Sequence, residues 1–215
     1  RTIPDWPDDV AALADHLKIK TFAVMGVSGG GPYAAVCAYK IPERIIKTGI
    51  VAGLAPIRDY HMLDGMMWMA KIGWANFGAY PIFRRISVSI QYCYAYLSPG
   101  LDIYRYLFGA KADRTLFKNV ELRRAVKRNY QDAYRQGLRG PELDLKLYTT
   151  DWGFDVGGIT SKTYLWYGAD DQNVSLNMGK YYASKIRGSK LTVYPGEGHM
   201  ISVTHAEEIL QTLIR

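Results

Sequence analysis

Between Thr21 and Ala34 the chain reads TFAVMGVSGGGPYA, an apolar run that passes through four glycines around a single serine into a helix-forming stretch. Few backbones accommodate that order. The short run from Thr21 to Val27 reads as a buried strand of a parallel sheet. The stretch from Gly30 to about Lys40 reads as a helix with Ala34, Ala35, Cys37 and Ala38 on its close-packing side. A strand that becomes a helix within so few residues must turn sharply. Gly26-Val27-Ser28-Gly29-Gly30 fits the G-x-S-x-G pattern with the serine at the apex.

A serine at such a turn is held in a strained backbone conformation. The residues two before and two after it come close together, which leads us to expect that Gly26 and Gly30 make room. The turn points the Ser28 hydroxyl out of the sheet. It also leaves the Gly29 N–H at the helix N-terminus, where the dipole favours an oxyanion. Other uses of the glycines fit less well. A phosphate loop wants a Lys-Ser/Thr pair after them, and Gly31 is followed by Pro32-Tyr33. A dinucleotide loop needs G-x-G-x-x-G, a spacing that Gly26, Ser28 and Gly29 do not fit. A plain glycine-rich turn stays open.

The surrounding pattern alternates helix and strand. Asp5 and Pro7 suit the start of a helix whose apolar face would be Val10, Leu13, Ala14 and Leu17. Ile45 to Ala52, Thr163 to Gly168 and Leu191 to Tyr194 read as further strands. Met178 to Ile186 and Ala206 to Leu213 read as helices. The expected class is α/β, a mostly parallel sheet with crossover helices. Gly53 to about Ile159 shows no strand alternation and carries helical patterns over Met62–Trp74 and Val120–Gly137. A connection this long must hold structure of its own. The expected organisation is therefore core over 1–52, a helical lid over 53–159, and core again over 160–215.

Composition narrows the function classes. The 215 residues are 48% hydrophobic, enough for a sizeable core, and carry a net charge of +7 from 27 basic and 20 acidic side chains. With no basic low-complexity tail and no nucleic-acid motif, that charge implies solubility rather than nucleic-acid recognition. Cys37 and Cys93 are far apart and form no metal-type spacing, which suits a reducing, cytoplasmic setting. No apolar run approaches the roughly 18 residues of a membrane span, and no signal peptide is visible.

A serine is a poor nucleophile without a base and an orienting carboxylate. Of four histidines, His199 lies in PGEGHM just after the last strand, on the same C-terminal edge of the sheet as Ser28. His205 is the alternative, although it reads as the first turn of the final helix. His16 reads as a solvated helix residue and His61 as a residue of the insertion. For the acid, GADDQNV follows the strand ending at Gly168. Asp171 suits the role, and Asp170 reads as a turn or capping residue. The strand ending near Ala52 offers no carboxylate before Asp59.

Taken together, GVSGGGPYA at Gly26–Ala34, WYGADDQNVS at Trp166–Ser175 and GEGHMIS at Gly196–Ser202 resemble the nucleophile, acid and histidine motifs of the α/β-hydrolase superfamily, in its chain order. DWGFDVGGI at Asp151–Ile159 is similar to the return from the cap in serine hydrolases with helical lids. The resemblance implies Ser28 as nucleophile, Asp171 as acid, His199 as base and the Gly29 N–H as one oxyanion donor. It implies no metal and no organic cofactor. It also implies preceding strands that bring a second oxyanion donor. Because this sequence starts at a helix just before the nucleophile strand, the expectation is a fragment of a longer protein, or a short form with little activity.

The expected partner is a small, largely apolar substrate with an ester-like bond. A non-catalytic or slow-turnover binding protein on the same fold is the alternative. Met62, Met66, Met67, Trp68, Met69, Trp74, Phe77, Tyr80 and Phe83 are dense enough to line an apolar pocket or simply to form the lid's core. With Arg84 and Arg85 they also suit contact with a lipid surface. The basic run from Arg123 to Arg128 reads as a solvated helix face.

Overall fold

The computed structural model describes residues 1–57, 60–96 and 109–215. Asp59 lies outside them. Four strands, β1 (Phe22–Val27), β2 (Ile45–Val51), β3 (Lys162–Gly168) and β4 (Lys190–Tyr194), form one sheet in the order β1-β2-β3-β4. Every neighbouring pair is parallel, and Val27, Val51, Trp166 and Thr192 stand in register across it. All four C-terminal ends therefore open onto one edge, where the loops after them meet.

Parallel neighbours need crossovers. Helices α1 (Trp6–His16) and α2 (Gly31–Lys40) flank β1. Five more helices among the described residues lie between β2 and β3: α3 (Trp68–Phe77), α4 (Pro81–Tyr96), α5 (Lys111–Leu116), α6 (Val120–Ala133) and α7 (Arg139–Tyr148). Helix α8 (Leu176–Lys185) links β3 to β4, and α9 (Ile201–Thr204) and α10 (Ala206–Ile214) close the chain. One face of the sheet packs Ile50, Leu165 and Tyr167 against α2 and α8 through Val36, Met178 and Tyr182. The other face packs Val51 and Trp166 against Ile201, Ile209 and Leu213. The α/β class and the helical insertion expected from the sequence are both present.

Four local expectations are corrected. β1 is an edge strand among the described residues, and Met25 on it is 42% exposed, so it is not the fully buried strand its composition suggests. On α1, Leu13 and Leu17 point outward at 59% and 56% exposure. The buried positions there are Pro7 and Ala14, because small residues let α1 lie close on α2. Asp5 makes no side-chain cap for α1; its carboxylate accepts the Thr2 N–H at 2.7 Å instead. The helix expected over Met62–Trp74 begins only at Trp68. A 3-10 turn over Tyr60–Leu63 is followed by Gly65 at a φ of +87°, a left-handed conformation that ends any helix.

The loop after β2 crosses directly over the start of α2. Two fully buried tyrosines fasten it: Tyr167 Oη donates to Gly53 O at 2.7 Å, and Tyr182 Oη to Leu54 O at 2.6 Å. Burial pushes both phenols well above their ordinary range, so they stay donors at any working pH. Tyr167→Phe leaves the Gly53 carbonyl buried without that donor and is expected to cost about 1–3 kcal/mol. A lower urea midpoint with an unchanged m-value would show it. Cys37 is buried within α2, and burial pushes its thiol up to about 12, which marks it as a packing residue.

Candidate active site

Ser28 follows β1 directly and opens the 3-10 turn Ser28–Gly30 that leads into α2. Its φ is +54°, a left-handed conformation costly for a residue with a Cβ. Surrounding contacts hold it there. Ser28 O accepts the Leu54 N–H at 3.0 Å and also the Gly31 N–H. A Cβ on Gly26 would stand 2.2 Å from Gly30 O and 2.9 Å from Ala34 Cβ, so only glycine fits. Gly30 differs from expectation: a Cβ there would meet nothing within 4 Å. The glycine that does make room is Gly31, whose Cβ would stand 2.8 Å from Gly53 Cα, where the β2 loop crosses the helix start.

Asp171 is the buried member of the acidic pair and Asp170 the exposed one. Asp171 Oδ1 accepts the Asn173 and Val174 N–H groups at 2.7 and 3.0 Å, which fixes the plane of the carboxylate. Oδ2 then meets His199 Nδ1 at 2.8 Å. An ionised carboxylate only accepts, so Nδ1 carries the proton and Nε2 keeps its lone pair. The two loops are laced together by backbone bonds from Ala169 N–H to Tyr194 O and from Asp170 N–H to Glu197 O, both 2.9 Å. A Cβ on Gly168 would stand 2.3 Å from Gly198 O, so their approach depends on that glycine.

The structure thus brings Asp171 and His199 into direct contact and places Ser28 on the same edge of the sheet. Among the described residues no hydrogen bond joins Ser28 Oγ to His199. The other histidines lie elsewhere. His205 stacks on Tyr194 with ring centroids 3.8 Å apart and stands 3.7 Å from Glu197. His61 is exposed beside Asp64, and His16 is exposed at the end of α1.

Two neighbours of the site were not foreseen in the sequence. Asp113, on α5, is only 3% exposed and accepts the His199 N–H at 2.9 Å and the Met200 N–H at 3.0 Å. Burial raises its carboxyl above the ordinary range; the two N–H groups oppose that shift and nearby Asp171 adds to it. Tyr148, on α7, has its hydroxyl 2.6 Å from where a Gly29 Cβ would stand. Its ring meets Tyr33 at 6.0 Å and Trp74 at 6.2 Å, and Tyr33 donates to the half-buried Asp144 carboxylate. The insertion therefore lays the aromatic rings of Tyr148 and Trp74 beside the turn that carries Ser28. Local sequence marks neither residue: both sit on ordinary polar helical stretches, and their partners are remote in the chain.

Solved structures match this arrangement over nearly its whole length. Est816, described as an N-acyl homoserine lactone degrading enzyme, superposes with a TM-score of 0.63 at 18% identity, covering 99% of this chain and 75% of that one. MGS-M2, an alpha/beta hydrolase enzyme from a Medee basin deep-sea metagenome library, gives 0.64 at 16% identity, covering 97% and 69%. The chain has the α/β-hydrolase fold. The meta-cleavage product hydrolase CumD from Pseudomonas fluorescens IP01 gives 0.62 at 18% identity, covering 99% of this chain and 70% of its own. No family model matches the sequence.

Within this α/β-hydrolase fold the Met- and aromatic-rich stretch of the insertion divides in two. Met66 and Phe77 are buried, whereas Trp68, Ile72, Tyr80 and Ile82 face outward. Arg84 is buried and donates to the Phe77 and Gly78 carbonyls, closing the C-terminus of α3. It is thus not available to a lipid surface; Arg85 faces Glu142 at 3.3 Å. Arg123 likewise donates to Phe117 O at 2.7 Å, so the basic run is partly used for helix capping. Among the described residues no helix is long and apolar enough to cross a membrane.

Proposed function

We propose that the chain carries the nucleophile, acid and base of a serine hydrolase that cleaves an ester-like bond of a small, largely apolar substrate through an acyl-enzyme. The observation that carries this reading is the buried Asp171 holding His199 by Nδ1 at 2.8 Å on the sheet edge where Ser28 stands at a φ of +54°. His199 Nε2 takes the Ser28 proton as Oγ bonds to the acyl carbon. The Gly29 N–H, with a second donor, receives the developing oxyanion. Asp171 stabilises the imidazolium and keeps its orientation. His199 then hands its proton to the leaving group, which departs and leaves the acyl group on Oγ. Water, deprotonated by the same nitrogen, releases the acid and restores Ser28.

The helices between 53 and 159 act as the cap in this reading. The aromatic surround of Tyr33, Trp74 and Tyr148 near Gly29 supports an apolar acyl or alcohol group. The names of the structural neighbours, a lactone-degrading enzyme and a meta-cleavage product hydrolase, agree with hydrolysis in general.

A fluorophosphonate probe tests the proposal directly. The expected result is covalent modification of Ser28, absent in Ser28→Ala and greatly slowed in His199→Ala. Tight binding of small apolar esters with no modification of Ser28 would instead favour a binding protein on this fold.

A further inference from the structure

We infer that Asp113, from the helical insertion, is a positioning residue for His199: its carboxylate clamps the backbone of the histidine loop and so ties the insertion's docking to the readiness of the base. This rests on the reading of His199 as the base. Three observations carry it. Asp113 Oδ2 accepts the His199 N–H at 2.9 Å and Oδ1 the Met200 N–H at 3.0 Å, so one carboxylate spans two successive amides 86 and 87 residues away in the chain. Met200 is the N-cap of α9, so these N–H groups belong to a helix start and point away from it. A Cβ on Gly198 would stand 2.4 Å from Asp113 Oδ2, so the carboxylate lies against the loop where only glycine leaves room for it.

The physical consequence follows from what fixes the imidazole. Asp171 holds the ring by Nδ1, yet a ring position needs its Cα fixed as well. The β4 side of the loop is laced to the acid loop by the bond from Asp170 N–H to Glu197 O. Gly196, just before that bond, takes a φ of +76°, and Gly198 stands between it and His199, a backbone with little intrinsic stiffness. Asp113 supplies charge-assisted anchors at His199 itself. It touches neither substrate nor the reacting atoms; it acts through the main chain.

The test uses hydrogen–deuterium exchange over the peptide spanning 196–204, together with the rate of Ser28 modification by a fluorophosphonate and kcat and KM for p-nitrophenyl acetate. In Asp113→Ala, exchange in 196–204 rises while β3 stays protected. The modification rate and kcat fall by about ten- to a hundredfold, the scale of a misplaced catalytic group, with KM little changed. Gly198→Ala, which pushes the carboxylate off the loop without altering Asp113, reproduces the effect. It serves as the second variant should Asp113→Ala not fold. Unchanged exchange in 196–204, or an unchanged modification rate with exchange raised, overturns the inference. A wild-type protein that no fluorophosphonate modifies overturns the hydrolase reading instead, and the exchange experiment still decides whether Asp113 holds the loop.

Discussion

Asp171→Asn lowers kcat for an activated ester by about 10⁴-fold with the fold intact, the scale seen when a triad histidine is forced into the wrong tautomer. Asp171 makes three bonds, two to backbone N–H groups and one to His199 Nδ1. Its Oδ1 takes the Asn173 and Val174 N–H groups at 2.7 and 3.0 Å. In the asparagine variant only the amide oxygen accepts, so it keeps those two bonds and the NH2 group turns toward His199. Nδ1 must then accept, which places the proton on Nε2, the nitrogen that takes the Ser28 proton in the proposed mechanism. Binding contacts do not change, so KM stays near the original, and thermal unfolding moves little because the turn remains capped. Single-turnover acylation with p-nitrophenyl acetate measures the step directly. An activity close to wild type would mean that another carboxylate orients the ring, and the buried Asp113 beside His199 would be the first to replace.

Much of this site was legible in the sequence because its parts are local. A strand, turn and helix in immediate succession need only neighbouring residues, so FAVMGVSGGGPY announces its own geometry. Asp171 and His199 each follow a strand end by a few residues, and in a parallel sheet every strand end faces the same way. What escaped the sequence depends on contacts between distant segments. Asp113 meets amides 86 and 87 residues away, and nothing in KADRTL distinguishes it from a solvated helix residue. Leu13 and Leu17 satisfy helical periodicity, yet α1 rests on α2 through Pro7 and Ala14, because close helix packing favours small side chains. Gly30 and Gly31 are indistinguishable by type; only the crossing of the β2 loop over the helix start separates their roles.

That distinction yields the second large effect, and its sign changes within five residues. Gly26→Ala is expected to destabilise the protein by about 3 kcal/mol, the upper range for forcing an extra carbon into a packed site. Its Cβ would meet Gly30 O at 2.2 Å, a backbone atom that cannot rotate aside, and Ala34 Cβ at 2.9 Å. Relief requires the turn to open, so Ser28 leaves its φ of +54° and modification by a fluorophosphonate is lost with the stability. Gly30→Ala runs the other way. Gly30 sits at φ −74° and ψ −17°, which alanine adopts readily, and its Cβ would meet nothing within 4 Å. Restricting the unfolded chain there should stabilise by about 0.4–1 kcal/mol. Gly31→Ala falls between, since the Gly53 Cα at 2.8 Å belongs to a loop fastened by Tyr167 and Tyr182 but still able to shift slightly. Urea unfolding of the three variants, with their rates of modification by a fluorophosphonate, separates two accounts of the glycines. If they served flexibility, all three substitutions would reduce Ser28 reactivity to a similar degree. If they serve close approach, only those whose added carbon meets backbone do so, Gly26→Ala more than Gly31→Ala, and Gly30→Ala leaves reactivity unchanged.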